Sequence, residues 1–159
     1  MVIVDAEAFD PGAMLARLCA GDPDGDGDSG GVVSFVGLCR GGSGVGSVTA
    51  LILDAHPTYT TKAIAGMEDE ARRRWPVHDV VIRHRHGRVA PGEAIVFVGV
   101  AARHRRAAFE AADYLMDQLK TRAPLWKKEE GEAGTVWLDP KPEEMERAAR
   151  WNGMTGTHA

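Results

Sequence analysis

Two lysines, Lys120 and Lys127, flank the place where the longest predicted helix of the chain must end. This helix is predicted over residues 104–122, and Pro124 stops it because proline cannot continue a helix. Two amines at a helix terminus and on the extended segment that follows can converge. A lysine in partly apolar surroundings, with other cations nearby, becomes a nucleophile or a base. The alternative, that both lysines only complement the helix dipole, fits the spacing equally well.

Residues 103–106 place three arginines and His104 between a predicted strand, residues 94–102, and the start of the same helix. The free N–H groups of a first helical turn attract anions. Cations at this end oppose the helix dipole, so they cost stability unless an anion compensates them. Arg40, in the glycine-rich loop after Gly37, is a second candidate because its planar guanidinium suits phosphate or carboxylate. These residues predict an anion site, with solvated helix faces and a flexible connector as the simpler alternatives.

The charge distribution favours a local anion site over a surface that coats a polyanion. The net charge is −4, from 19 basic and 23 acidic residues. Residues 72–128 hold 13 basic and 5 acidic residues, a local charge of +8, and the rest of the chain carries −12. A basic segment inside an acidic protein indicates a confined site for an anionic ligand.

A histidine pair on a predicted strand does not indicate a metal site. His84 and His86 lie two residues apart within residues 78–86, where a strand would point both to one face. No third ligand is suitably spaced, and the neighbouring arginines would oppose a cation. We therefore interpret this strand face as exposed.

The other metal-like patterns are also incomplete. Residues 22–27 resemble the opening of a calcium loop, yet its twelfth position is Val33 instead of a carboxylate, so a flexible acidic loop is favoured. Cys19 and Cys39 form no CxxC motif, which argues against a disulfide scaffold and a zinc site. No metal and no other cofactor is expected.

Apolar periodicity and turn residues predict an α+β fold. Helices are predicted over residues 10–20, 58–74, 104–122 and 142–151. Strands are predicted over residues 32–37, 48–55, 78–86, 94–102, 124–129 and 135–139. Helices and strands alternate only partly, and the later strands can pair as hairpins. We therefore expect a largely antiparallel or mixed sheet.

The chain length of 159 residues fits one domain, which we place at residues 1–151. Flexible loops are predicted at about residues 21–30 and 40–47, and a disordered tail at residues 152–159. No apolar run approaches the length of about 18 residues that a membrane span requires, and the first residues do not resemble a secretory signal. A cytoplasmic protein without membrane contact is therefore expected.

A long central segment resembles a known family. Residues 87–129, GRVAPGEAIVFVGVAARHRRAAFEAADYLMDQLKTRAPLWKKE, are similar to the centre of the large, catalytic subunit of molybdopterin synthase. The part LKTRAPLWKKE matches the lysine motif of that family almost letter for letter. Upstream, VVSFVGLCR resembles a strand that leads into an arginine-bearing loop, and HPTYTTKA with EARRRWP resembles the first long helix. The resemblance runs from about residue 31 to residue 151.

The resemblance implies an activity in molybdenum cofactor biosynthesis. Members of the family convert a cyclic pyranopterin monophosphate, precursor Z, into molybdopterin by adding two sulfurs that become the dithiolene. The sulfur arrives as a thiocarboxylate on the C-terminal Gly-Gly tail of a ubiquitin-like small subunit. The family's assembly is a heterotetramer, in which a central homodimer of large subunits carries one small subunit at each end. Its fold is an α/β hammerhead type with an added antiparallel subdomain.

The resemblance also implies roles for the cationic residues. Lys120 and Lys127 match the family's two important lysines. Lys120 would lie beside the thiocarboxylate as an acid, a base or a transient nucleophile, and Lys127 would bind the pterin and stabilise developing charge. His104 and Arg105 match a pair that binds the substrate phosphate, and Arg40 matches a loop arginine with the same task.

Three further residues are weaker candidates by resemblance. Lys128 and Glu129 follow the second lysine of the motif directly. Lys141 stands where relatives often have an arginine that reaches the site of the neighbouring subunit.

Three other interpretations of the sequence are open. A binding module for phosphorylated nucleotides or RNA would use the same basic segment, although the acidic net charge and the small aromatic content of 6% argue against it. A non-catalytic scaffold would bind the small subunit without forming product, and the intact Lys120 and Lys127 argue against that. Cys39, beside Arg40, could relay sulfur, but the resemblance implies that sulfur arrives on the partner.

Overall fold

The computed structural model describes residues 1–21, 28–43, 46–132, 134–139 and 141–153. The first sheet is built around β7 (Ala94–Ala102), in which residues 96–102 are all buried. This strand pairs antiparallel with β2 (Gly31–Leu38) on one side and with β5 (Val77–Arg85) on the other. The short strand β1 (Val2–Asp5) pairs parallel with β5 at the edge, so the sheet is mixed. The sequence analysis did not predict β1.

Helices cover both faces of this sheet. On one face, α2 (Pro57–Arg74) and α3 (Arg105–Thr121) pack on the strands and form the main core. On the other face, α1 (Pro11–Ala20) inserts Leu18 against Phe97 and Val81. Both faces of the sheet are therefore apolar, which explains the continuous hydrophobic run of its central strand.

A second, antiparallel sheet forms a subdomain of the kind that the family resemblance implies. Its strands are β3 (Gly42–Ser43), β4 (Gly46–Ala55), β8 (Leu125–Gly131) and β9 (Gly134–Leu138), in that order, and β6 (Gly87–Val89) also pairs with β4. A small cluster of Cys39, Leu51, Leu53 and Val89 lies beneath it. The two sheets, with helices on the larger one, confirm the α+β class with mixed and antiparallel sheets.

The C-terminal segment returns to α3. Helix α4 (Pro142–Ala149) is followed by a 3-10 turn at Arg150–Gly153, in which Trp151 is buried. Its ring lies edge-on to Trp75 and Tyr114, with both pairs of ring centroids 5.6 Å apart. This aromatic cluster fixes the end of the described chain against helices α2 and α3.

The structure corrects the prediction for the strand face at His84 and adds a short strand to a predicted loop. The strand face that carries His84 is not exposed: His84 is only 4% exposed, because β5 lies inside a sheet that helices cover, and His86, just after the end of β5, is half-buried. The segment predicted as a loop at residues 40–47 contains strand β3. The calcium-like residues 22–27 and residues 154–159 of the predicted tail lie outside the described residues. The boundary of the single domain at residue 151 stays a prediction.

Candidate active site

Helix α3 and strand β8 bring the two predicted lysines to one place. Lys120 occupies the last turn of α3 and is exposed, and Lys127 lies on β8 after the turn that Pro124 introduces. The charge of Lys120 acts on the pKa of Lys127, so the two ammonium groups share one electrostatic environment. The two lysines therefore lie close enough for their charges to interact.

Lys127 is the more enclosed of the two lysines. Strand β8 lies between β4 and β9, and Lys127 is opposite Leu53 on one neighbour and Leu138 on the other. Burial lowers the pKa of Lys127 most, and the charge of Lys120 lowers it further. A carboxylate, Glu144, acts in the opposite direction, but the pKa still lies below that of an ordinary lysine. Lys127 thus gives up its proton more readily than an ordinary exposed lysine does.

Lys120 and Lys127 form a lysine cluster, and Glu144 lies beside it. The sequence analysis missed this residue. Its Oε1 atom lies 2.7 Å from Nζ of Lys120. Burial acts to raise the pKa of Glu144, but the hydrogen bonds from Lys120 and from the backbone of Lys141, with the lysine charges, bring it below its usual value. No local pattern could have found it, because Glu144 lies 24 residues from Lys120 on a helix rich in glutamate.

A groove opens beside Lys127. It has a volume of about 390 Å³ and runs between the turn before β8 and the end of β9. Its lining is formed by two short stretches, residues 123–127 and 137–139. Two indole rings, Trp126 and Trp137, contribute to it and are more than half exposed. The groove is therefore partly apolar, with Lys127 as its cation.

Arg40 lies at the same end of the molecule as the lysines. It lies two residues after the end of β2, and the backbone N–H of its neighbour Cys39 donates to the carbonyl of Glu93, the residue before β7. Cys39 belongs to the cluster beneath β4 and β8, next to the strand that carries Lys127. Arg40 is exposed and forms no ion pair with any described residue.

His104 and Arg105 lie at the opposite end of the sheet. They follow the last residue of β7, and β7 spans about 26 Å for nine residues. Helix α3 then runs back over the sheet for about 24 Å before it reaches Lys120. His104 is the N-cap residue, with no capping hydrogen bond from its side chain, and both residues are exposed. Within one chain, the predicted phosphate ligands therefore form two separate groups.

The three weaker candidates lie at different places around the lysines. Glu129 lies on the same face of β8 as Lys127, two residues along the strand. Lys128 lies on the other face, where its ammonium stands 5.1 Å from the ring centroid of Trp137. Lys141 is the N-cap residue of α4, and its backbone N–H donates to Glu144 at 3.2 Å. In the single chain, Lys141 is therefore a neighbour of its own chain's lysine cluster.

Two buried groups adjoin the site without being open to it. His84 has a pKa of about 4, because burial disfavours its charged form and the charge of Lys127 acts in the same direction. Burial raises the pKa of the Cys39 thiol, and the charges of Glu129 and Glu93 raise it further. A buried thiol that resists ionisation is a poor nucleophile, which argues against a sulfur relay through Cys39.

Within the described residues, no group of three histidine, cysteine, aspartate or glutamate side chains is placed to hold a metal ion. In the same part of the chain, no helix is long and apolar enough to cross a membrane.

The fold and the site define an α+β protein with a lysine cluster at a groove and a set of exposed cations suited to an anionic ligand. Residues 4–122 match the family model described as MoaE protein. The chain is also 45% identical to the molybdopterin synthase catalytic subunit of Caulobacter vibrioides, over 96% of this chain and 97% of that protein. The chain therefore belongs to the MoaE family.

Solved structures agree with this assignment. The molybdopterin biosynthesis MoaE protein of Burkholderia ambifaria superposes with a TM-score of 0.77 at 37% identity, covering 97% of this chain and 99% of that one. A structure of the complex of subunits 1 and 2 of molybdopterin-converting factor from Helicobacter pylori shares the fold, with a TM-score of 0.71 at 18% identity. Its coverage is 88% of this chain and 91% of that chain.

Proposed function

We propose that this chain is the catalytic subunit of molybdopterin synthase. In this proposal it transfers two sulfurs to precursor Z, one from each of two C-terminal thiocarboxylates of a ubiquitin-like small subunit, and the product is the dithiolene of molybdopterin. The observation that carries the proposal is the interaction of the charge of Lys120 with Lys127, which lines a groove, within a chain 45% identical to a relative named for this activity. A cytoplasmic location is part of the proposal.

The groove beside Lys127 suits the tail of the small subunit. An extended Gly-Gly segment carries no side chains, so its end can enter a groove of about 390 Å³. A thiocarboxylate is an anion, and Lys120 and Lys127 supply the positive charge that attracts and orients it. The Helicobacter pylori structure, a complex of two subunits of molybdopterin-converting factor, supports a partner of this kind.

The two lysines have different surroundings, and we propose different roles for them. Lys127, whose pKa burial lowers, binds the pterin and moves protons or stabilises charge as sulfur is transferred. Lys120 is more exposed, with 41% of its side chain open to solvent, and meets the incoming tail as an acid, a base or a transient nucleophile. No metal is invoked for either role.

The separation of the phosphate ligands suggests that one site uses two chains. His104 and Arg105 lie about 24 Å along α3 from Lys120, too far for a monophosphate substrate to bridge easily. A homodimer brings the N-terminal end of α3 from one chain to the lysine cluster of the other, where Arg40 also lies. In this arrangement His104 and Arg105 bind the phosphate of the substrate whose pterin lies at the partner's lysines.

A product assay tests the proposed activity. The purified protein is mixed with thiocarboxylated small subunit and precursor Z, and mass spectrometry follows dithiolene product for the wild type, Lys120→Ala and the exposed control Lys62→Ala. We expect product from the wild type and from the control, and its loss from Lys120→Ala. Product from Lys120→Ala at the wild-type rate would remove Lys120 from the chemistry. Tight small-subunit binding without any product would favour the scaffold alternative instead.

A mixing experiment tests the shared site. Lys120→Ala and His104→Ala are each expected to be inactive as homodimers. After unfolding and refolding together, half the dimers are mixed and each mixed dimer has one intact site, so about one quarter of wild-type activity should return. No recovery, with mixed dimers demonstrated by native mass spectrometry, would mean that both residues act within one chain, and a fully active His104→Ala homodimer would mean that His104 is not needed.

A further inference from the structure

The C-terminal segment is attached to α3 at two separate points. At one end, Glu144 of α4 is 2.7 Å from the amine of Lys120. At the other end, the indole N–H of Trp151 donates to Oδ2 of Asp117 at 2.8 Å, and this bond is buried. Arg150 reaches the same carboxylate at 2.8 Å. Helix α4 is therefore held in a defined place beside the last turns of α3.

The carboxylate of Glu144 is fixed by its own helix before it meets Lys120. Its Oε2 atom accepts the backbone N–H of Lys141 at 3.2 Å, and the N–H of Glu144 donates to the carbonyl of Lys141 at 2.9 Å. This reciprocal pair closes the first turn of α4. Oε1 is left pointing at Lys120, and only 21% of the glutamate side chain is exposed.

Lys120, in contrast, has a long and flexible side chain. Its side chain is 41% exposed, and a lysine loses much conformational freedom when its amine is held in one place. Within the described residues, Glu144 is the one partner with which this amine forms a hydrogen bond or an ion pair. The position of the Glu144 carboxylate therefore determines the position of the Lys120 amine.

We propose that Glu144 is a positioning residue for Lys120. Its carboxylate holds the Lys120 amine at the end of α3, beside Lys127, and supplies the negative charge that lets two lysine amines occupy one site. The inference rests on the proposed function for its catalytic consequence, but the positioning itself is a property of the free protein.

The electrostatics of the cluster agree with this role. Lys120 lowers the pKa of Lys127, and Glu144 raises it, so the glutamate offsets the repulsion between the two amines. Two neighbouring acids of the same helix do not share this position: Glu143 and Glu146 are exposed and form no ion pair with a described residue. They provide matched controls for charge and for helix composition.

A labelling experiment tests the positioning without requiring activity. The wild type, Glu144→Gln, Glu144→Asp and Glu143→Gln are acetylated briefly with the N-hydroxysuccinimide ester of acetic acid, and the rate at Lys120 is read by peptide mass spectrometry. Lys62, an exposed lysine on α2, serves as the internal reference. A partly exposed ion pair shifts the equilibrium between the paired and the free lysine amine by up to about five-fold. We expect Lys120 to react about three to five times faster in Glu144→Gln, at an intermediate rate in Glu144→Asp, and unchanged in Glu143→Gln.

Kinetics test the catalytic consequence. In the product assay, Glu144→Gln should lower kcat about ten-fold and leave the KM for precursor Z within about two-fold, because an amine that is displaced still permits binding. Glu144→Asp should recover part of the loss, and Glu143→Gln should behave as the wild type. Circular dichroism melts of all variants establish that they fold.

The outcomes separate the two proposals. Equal Lys120 labelling in Glu144→Gln and Glu143→Gln overturns the positioning role, whatever the activity. Faster labelling in Glu144→Gln with unchanged kcat overturns its catalytic consequence. A wild type that makes no product, with the labelling difference present, refutes the proposed function and leaves the positioning of Lys120 by Glu144 established.

Discussion

Trp151 anchors the C-terminal segment, and replacing it with alanine should lower the free energy of unfolding by about 3–5 kcal/mol. The side chain is 4% exposed. Its two edge-on contacts, with Trp75 and Tyr114, are each worth about 0.5–1.5 kcal/mol beyond the area they bury. The variant also loses the buried indole hydrogen bond to Asp117, although Arg150 keeps that carboxylate paired. The total falls within the range seen for large aromatic residues in a core.

The assay is urea unfolding followed by circular dichroism, because fluorescence would be altered by the loss of an indole. For a domain of this size, each kcal/mol corresponds to about 2–4 °C in Tm, so Trp151→Ala should melt about 6–20 °C lower. Trp137→Ala is the matched control: that side chain is 56% exposed, and its loss should cost less than about 1 kcal/mol.

Hydrogen exchange adds a local measurement. Once Trp151 no longer holds the 3-10 turn against α3, the amides of α4 should exchange faster, while those of β7 should follow only the global loss of stability. A Trp151→Ala protein whose stability lies within about 1 kcal/mol of Trp137→Ala would refute the reasoning, because removing a buried anchor cannot have so small an effect.

Three further predictions concern titration and packing. His84 takes up a proton near pH 6.5 in the unfolded chain but only at about pH 4 in the folded protein. The free energy of unfolding should therefore fall by up to about 3 kcal/mol as the pH is lowered from 6.5 to 4. Urea unfolding of His84→Gln should show no such dependence on pH. The pKa of Lys127 is lowered by burial, so its ammonium form is destabilised in the fold. Lys127→Met should therefore raise the free energy of unfolding at pH 7, and the gain should shrink as the pH approaches the pKa of an ordinary lysine; equal gains at pH 7 and at about pH 10 would contradict this. A Cβ at Gly99 would lie 2.7 Å from side-chain atoms of Leu18 and Phe97, so Gly99→Ala should cost about 1–3 kcal/mol. The same change at Gly66, in open space on α2, should stabilise by about 0.5–1 kcal/mol, and calorimetry on both variants checks the contrast.

Local sequence patterns determined most of the secondary structure. The strand predicted over residues 94–102 has those bounds in the fold, because a run of β-branched and aromatic residues needs no distant partner to be recognised. The ends of α3 were also visible, since Pro124 excludes any continuation. The strands β1 and β6 were missed because they have four and three residues, too few to show a period.

The sequence also predicted that Lys120 and Lys127 lie near each other, and for a similar reason. Lys120 and Lys127 belong to one contiguous motif, in which a helix end and a strand start are joined by a short turn. A short connection brings the end of the helix and the start of the strand close together, so the backbone positions of the two lysines are near each other.

Only the tertiary structure decided what surrounds those lysines. Glu144 reaches Lys120 from 24 residues away, because α4 folds back on α3 and Trp151 holds it there. His84 is buried although its strand looked exposed, because helices from distant parts of the chain cover both faces of the sheet. The separation of Arg40 from His104 follows from the antiparallel pairing of β2 with β7, which sends the ends of the two strands in opposite directions. Each of these features depends on contacts between segments far apart in the chain, and a local pattern carries no record of such contacts.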